Sequence, residues 1–323
     1  METHDRTRRR LVLAALAAGA ARTTRAAAYP ASTVRIVYNF APGGPGDAAA
    51  RYLADQLTPR LGQPVIVENK SGGNGSIGIM AVARERPDGL TLLFTTLAGL
   101  VQLPYYADKN FDPIKGLQPI AMVGAAPLVI LAHPSLPAND FLSFVEWART
   151  QKTVPIAGAG PIIELTLARL SREARLNLEF IPYRGSAPAI QAVLGGEVQL
   201  YLMPPSGTTT ELVRNGRLKV IGVTSAEPSA LAPGVQPIAR QVPGFVQDVH
   251  YCFWAPAGTG SDVVTTLTQA LMEIMGRPAT TEKLLSFSIE PRKGGPDEVT
   301  ATTLREAENI RRILAVTPIK FGQ

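Results

Sequence analysis

Residues 39–57 read NFAPGGPGDAAARYLADQL: an apolar run ends at Phe40, a knot of proline and glycine follows, and a helix is expected to open at Asp47. Glycine loops that lead into a helix offer exposed backbone N–H groups beside the positive end of the helix dipole, so they suit anions. Such a loop can cradle a nucleotide phosphate, hold a small carboxylate, or merely turn the chain. A second glycine run, Gly73-Asn74-Gly75-Ser76-Ile77-Gly78, fits the GxGxxG pattern of dinucleotide-binding turns, follows a strand-like segment and opens a helix. The acid that should hold a ribose about 20 residues on is missing. Thr95 and Thr96 end the next strand with Leu97 following, and Asp88 stands before it. Neither loop carries the Lys-Ser/Thr pair of a P-loop. A third turn, Gly158-Ala159-Gly160, precedes a helix in the middle of the chain.

Catalytic motifs are scarce. The three histidines are His4, His133 and His250, and no HExxH, GxSxG or CxxC pattern occurs. A Ser–His–Asp triad assembles in space rather than in sequence, so the pattern alone leaves one open. Cys252 is the sole cysteine; it allows no internal disulfide and lies in the apolar run YCFWAP, as a buried structural thiol would. No metal-ligand set and no cofactor motif stands out, so neither a metal nor a cofactor is expected.

The elements that position these loops alternate. TVRIVYNF, PVIVEN, LTLLFTT, PIAMVG, PLVILAHP, VPIAGAG, LEFIPY, VQLYLM and LKVIGVTS read as strands, and helical periodicity separates most of them. The helix after the first glycine loop has Ala49, Leu53, Leu57 and Leu61 on one face and Gly62 at its stop. This beat predicts α/β architecture with mainly parallel sheets. MVGAAPLVILAHP and QVPGFVQDVHYCFWAPAGTG read as crossings between lobes, with helices dominating afterwards. The expected organisation is a first lobe from 29–128 completed by 250–323, a second lobe over 129–249, and a cleft between them.

The first 28 residues stand apart. METHDRTRRR is a basic run, Leu11–Ala21 is apolar, and Ala26-Ala27-Ala28 supplies a small-residue cleavage site near Ala28. The apolar stretch is about half of the roughly 20 residues needed to cross a bilayer. Thr7-Arg8-Arg9-Arg10-Leu11 also fits a twin-arginine export signal, and either export route stays open. The whole chain has 32 Lys and Arg against 26 Asp and Glu; without the leader's six and two, 26 stand against 24, a net of +2. The basic pI therefore belongs mostly to the leader, and no basic run is left for nucleic acid.

Over nearly its whole mature length the sequence resembles the Bug-type periplasmic solute receptors of tripartite tricarboxylate transporters. The likeness is carried by VRIVYNFAPGGPGDAAARYLADQLTPRLGQPVIVENKSGGNGSIGIMAVARERPDGLTLLFTT, by IPYRGSAPAIQAVLGGEVQL, by NGRLKVIGVTSAEPSALAPGVQPIARQVPGF and by FWAPAGT. It implies a Venus-flytrap, type II periplasmic-binding-protein fold, with a small carboxylate bound between the lobes and presented to membrane permease subunits. It implies a non-catalytic, periplasmic protein, expected here to be a monomer. The family's PGG-x-x-D loop corresponds to Pro42-Gly43-Gly44-Pro45-Gly46-Asp47, following Phe40. The small or hydroxyl residues of the next loop correspond to Thr95 and Thr96. The middle-lobe turn corresponds to Gly158-Ala159-Gly160, and the PY[KR]G element to Pro182-Tyr183-Arg184-Gly185. These are the expected ligand-binding positions.

Two departures bear on the ligand. Where family members usually follow the middle turn with hydroxyl residues and a His-Leu pair, this chain has Pro161-Ile162-Ile163-Glu164-Leu165. Gln199 replaces an acid that members often carry, and VQLYLMPPSG is unusually apolar. The expected ligand is less anionic than citrate: a monocarboxylate, an aromatic acid or an amide. Glu164 facing the cleft and Glu164 on the outer helix surface both stay open, as does direct ligand contact by Arg184. Two other outputs are compatible with the sequence: signalling to a sensor kinase, and nucleotide-dependent catalysis through GNGSIG.

Overall fold

The computed structural model describes residues 29–107 and 110–316. The leader expected over 1–28 lies outside them. Strands β1 (Val34–Tyr38), β2 (Val65–Asn69), β3 (Thr91–Thr96) and β4 (Leu117–Pro127) build the first part of one sheet. Strands β5 (Val129–Ala132), β6 (Val154–Gly158), β7 (Leu178–Pro182), β8 (Leu200–Met203) and β9 (Lys219–Val223) build a second sheet. The chain then returns to the first through β10 (Asp248–Pro256) and β11 (Glu290–Gly294). Strand orders are β11-β4-β10-β3-β1-β2 and β7-β6-β8-β5-β9. The fold is two-lobed α/β as expected, but the sheets are mixed rather than mainly parallel. β10 runs antiparallel to β3 and β4, β11 to β4, and β5 to β8 and β9, because the chain enters the second lobe on β5 and re-enters the first on β10 from the shared edge.

Helices α1 (Pro45–Leu61), α2 (Ser76–Ala83), α3 (Leu97–Tyr106), the single turn α4 (Pro113–Gly116), α9 (Ser261–Met275), α10 (Pro278–Ser286) and α11 (Pro296–Val316) belong to the first lobe. Helices α5 (Phe141–Arg149), α6 (Pro161–Glu173), α7 (Ser186–Leu194) and α8 (Gly207–Arg214) belong to the second. Strands Val34–Tyr38 and Thr91–Thr96 are buried almost throughout, as expected of interior strands in a sheet with helices on both faces. Helix α1 buries Ala49, Leu53, Leu57 and Leu61, and Gly62 ends it at φ +69°. It opens two residues earlier than the apolar spacing suggests. Pro45 occupies the first helical position, where its missing N–H costs nothing, and Asp47 becomes the third residue.

Strand register shows how the lobes face. In the first sheet, Thr96 at the end of β3 pairs with Tyr251, and Asp248 at the start of β10 pairs with Pro127 at the end of β4. In the second, Val129 at the start of β5 pairs with both Met203 and Val223, the ends of β8 and β9. The edge carrying the C-terminal ends of the parallel strands is therefore the edge where both crossings leave each lobe. Between them the crossings are knitted together. Leu128 N–H donates to Thr224 Oγ1 at 2.8 Å, and Thr224 N–H donates to the Leu128 carbonyl at 2.9 Å. Gln247 N–H donates to the Thr224 carbonyl at 2.9 Å, and the Thr224 hydroxyl donates to the Gln247 carbonyl. Thr224 has no exposed surface, so this clasp is dry and its geometry fixed.

Candidate functional site

The first loop is shaped from below by Asp47. Its Oδ2 accepts from Gly43 N–H (3.1 Å) and Arg51 Nε (3.1 Å), and its Oδ1 accepts from Arg51 Nη2 (3.1 Å) and Asn69 Nδ2 (2.8 Å). Asn69 Nδ2 also donates to the Phe40 carbonyl at 3.2 Å. A third-position acid that reaches back to an N–H ahead of the helix is the capping-box half most useful for folding a loop over its own helix. Burial opposes charge on Asp47, but the hydrogen bonds from Arg51, Asn69 and Gly43 and the Arg51 charge outweigh it and hold the carboxyl below its usual range. Both oxygens are thus engaged inside the loop. Asp47, expected as a ligand-binding residue, is a positioning residue in this geometry, and the Gly43 N–H is turned inward with it.

What faces outward is backbone. Ala41, Pro42 and Gly43 are exposed, and Gly44 and Pro45 are half-buried. Gly43 adopts φ +92°, a region that side chains avoid, and a Cβ built at Gly43 or at Gly44 would meet nothing within 4 Å. Gly44 is the N-cap of α1 and provides no side-chain cap. Gly46 differs from its neighbours: a Cβ there would lie 2.2 Å from Tyr38 Oη, so it is a packing glycine.

The second loop of this lobe meets the first. Thr95 is fully buried, and its hydroxyl donates to the Thr96 carbonyl at 3.4 Å. Thr96 caps α3, accepting from Gly99 N–H at 3.3 Å. The Phe40 ring packs at a tilt against Tyr38, with centroids 5.5 Å apart, and its Cζ would lie 3.7 Å from a Cβ at Gly99. Phe40 is therefore the wedge that sets the spacing of the two loops.

Across the cleft, Gly158 is packed under Ile163 and Phe180, Ala159 is half-buried, and Gly160 is exposed. Gly160 has φ +87° with open space where a Cβ would be, and caps α6 without a side chain. Tyr183 is half-buried. Its ring packs against the second lobe's core, and its hydroxyl donates to Glu197 Oε1 at 3.4 Å. Arg184 is exposed and has no ion-pair partner among the described residues. Gly185 caps α7, again without a side chain. Glu164, in the first turn of α6, is half-buried without a hydrogen-bond partner among the described residues, and burial raises its pKa.

The nucleotide-like run is accounted for by packing. A Cβ at Gly78 would sit 2.7 Å from the Lys70 carbonyl and 2.8 Å from Asn39 Cβ, and one at Gly75 would sit 2.3 Å from Asn39 Nδ2. These glycines let α2 press onto the end of β1. The two histidines among the described residues each have a side-chain partner: His133 Nδ1 with Ser135 Oγ at 2.7 Å, and His250 Nδ1 with Glu306 Oε1 at 2.7 Å. Cys252 is fully buried, and burial pushes its thiol pKa up. Among the described residues no cluster of three or more His, Cys, Asp or Glu is arranged to hold a metal ion.

Two lobes joined by paired crossings, each presenting glycine-capped helix starts at the shared edge, define a hinged solute-binding receptor. Residues 49–315 match the model of the tripartite tricarboxylate transporter family receptor, and the chain belongs to that family. Protein BugT of Bordetella pertussis is 29% identical over 314 residues, covering 94% of this chain and 95% of its own. Among solved structures, the periplasmic binding protein BugD superposes with a TM-score of 0.73 at 29% identity, covering 89% of this chain and 98% of its own. MatC from Rhodopseudomonas palustris with bound malate superposes with a TM-score of 0.70 at 26% identity, covering 89% of this chain and 99% of its own.

Proposed function

We propose that this receptor works in the periplasm after export, captures a small organic acid between its lobes, and presents it to the membrane permease subunits of a tripartite transporter without catalysis. The observation that carries this reading is the pair of open glycine turns, Gly43-Gly44 and Gly160, at the edge where both crossings run. Each places the uncapped first turn of a helix, α1 or α6, beside open space. Backbone N–H groups of these helix starts, other than that of Gly43, which Asp47 already holds, would donate to a ligand carboxylate at close range, and the helix dipoles add favourable charge. Closure about the Leu128–Thr224–Gln247 clasp then buries the ligand, and the closed state is favoured by its differential affinity. The malate bound to MatC supports an organic acid as the ligand class.

The ligand is less anionic than citrate. Glu164 stands in the first turn of α6, half-buried and with no hydrogen-bond partner for its carboxylate among the described residues, so a second negative group nearby is disfavoured. Strand Leu200–Met203, fully buried and apolar, adds no cation to that wall. Arg184, exposed and without an ion-pair partner among the described residues, is the cation this reading assigns to the ligand carboxylate.

A thermal-shift screen of small carboxylates against the mature chain tests this, because ligand at 100 times its dissociation constant stabilises by roughly 2.7 kcal/mol. Monocarboxylates, aromatic acids or amides are expected to raise Tm more than citrate. Tight citrate binding with no response to monocarboxylates would sink the ligand assignment. Arg184→Ala is expected to weaken the best ligand about tenfold, and unchanged affinity would confine Arg184 to a structural role.

A further inference from the structure

We infer that the second lobe carries its own binding groove, separate from the interlobe cleft, for an amphipathic monocarboxylate with a medium-length apolar tail. The groove encloses about 480 Å³ and runs along one face of the β5–β9 edge beneath α8. Its walls are Val129 and Leu131 of β5, Val213 of α8, and Leu231 and Val235 of the segment after β9. Its volume and largely aliphatic lining are those of a small-molecule pocket.

The two ends of the groove differ. Pro205, two residues past the end of β8, lines the end beside Val129 at the start of β5. At the other end stands Lys219, whose ammonium donates to the Leu136 carbonyl at 2.6 Å and to Asn139 Oδ1 at 2.9 Å. No carboxylate pairs with it among the described residues, while two neutral acceptors leave its third N–H unspent. An uncompensated ammonium at the mouth of an apolar groove is complementary to a carboxylate with a hydrocarbon tail. Length follows from register: Val129 pairs with Val223 and Ala132 with Lys219, three strand steps or about 10 Å. That span suits an unbranched acid such as octanoate or an arylalkanoate of similar reach. Because every lining residue belongs to the second lobe or the segment that follows it, occupation requires no closure of the hinge.

Calorimetric titration of the mature chain with octanoate, octanol and octylamine, followed by small-angle scattering, tests the assignment. Octanoate is expected to bind saturably, octanol more weakly, and octylamine not at all. Lys219→Gln should weaken octanoate about tenfold, Lys219→Arg should restore most of that loss, and Val213→Trp should block binding by filling the groove. The radius of gyration should stay unchanged on saturation, and Gly160→Ala in the cleft should leave octanoate affinity intact. Absence of saturable octanoate binding overturns the proposal. So does equal affinity of octanoate and octanol with no effect of Lys219→Gln, which would mark an apolar docking face. A scattering-detected closure that survives in Lys219→Gln places octanoate in the cleft, and also overturns it. Each of these outcomes leaves the cleft reading standing, since that reading depends on ligands that close the hinge.

Discussion

Two glycine-rich turns of the first lobe, Pro42–Asp47 and Gly73–Gly78, follow neighbouring parallel strands and open helices α1 and α2. Their surroundings are opposite. Cβ atoms added at Gly43 or Gly44 would meet nothing within 4 Å, whereas those added at Gly75 or Gly78 would collide with Asn39 and the Lys70 carbonyl. A glycine motif reports that something comes close to the backbone. Only the three-dimensional setting says whether that something is a ligand or another part of the chain. In the β2–α2 turn the approaching group is the end of β1, so the resemblance to a dinucleotide fingerprint comes from helix–strand packing, which that fingerprint also requires of its last glycine.

Gly78→Val should break this comparison most severely if the packing account is wrong. The added Cβ lies 2.7–2.9 Å from a carbonyl oxygen and from Asn39 Cβ and Cα, atoms that cannot swing away. Overpacking of this kind costs about 3 kcal/mol and exceeds the modest helix-propensity gain. Urea denaturation should show that loss, and a neutral or stabilised variant would refute close packing as the reason for the motif.

Asp47→Ala is expected to cost about 2 kcal/mol, because Gly43 N–H, Asn69 Nδ2 and Arg51 all lose their acceptor. The pH dependence has a defined sign. The folded pKa is lowered, so the stabilisation is fully present above the ordinary Asp value of about 3.9 and is lost as pH falls through the lowered folded value. Asp47→Asn should therefore flatten the acid limb of the stability curve and leave the shape of the neutral region alone. An acid limb identical to the parent would mean that the Asp47 network does not hold the loop.

Much of this was legible before any coordinates. Alternating periods predict the α/β class, the two apolar crossings predict the two lobes, and the apolar face Ala49–Leu53–Leu57–Leu61 marks α1 directly. Helix α3 escaped notice because LAGLVQLPYY carries Pro104 and starts without a gap after β3, its Thr96 cap doubling as the last strand residue. Strand β11, Glu-Pro-Arg-Lys-Gly, has no hydrophobic alternation; it pairs with β4 at the sheet edge, and Glu290 ties it to the segment after β9 by accepting from Ser229 Oγ at 2.6 Å and Ala230 N–H at 3.0 Å. A strand fixed by tertiary hydrogen bonds leaves no period-2 trace. At the site, residue type pointed to the glycine turns, but not to which glycines are open. Direction of a side chain, as for Tyr183 toward Glu197, is set by neighbours far away in sequence.

The finer contrast is between Gly160 and Gly44, both caps beside open space. At Gly160 φ is +87° and ψ 164°, a region populated essentially by glycine alone, so Gly160→Ala places an L side chain there at a cost of about 1–3 kcal/mol. It should lower both stability and cleft affinity. At Gly44 φ is −85° and ψ is 171°, ordinary extended backbone, and no atom stands near the added methyl. Gly44→Ala should therefore change stability by less than about 0.5 kcal/mol. If a carboxylate comes down onto the first turn of α1, the same methyl lies in its path, and affinity falls with stability unchanged. Denaturation and calorimetry on this one variant separate conformational need from ligand access. Intact affinity would move the ligand away from α1 and leave the Gly160 side of the cleft to hold it.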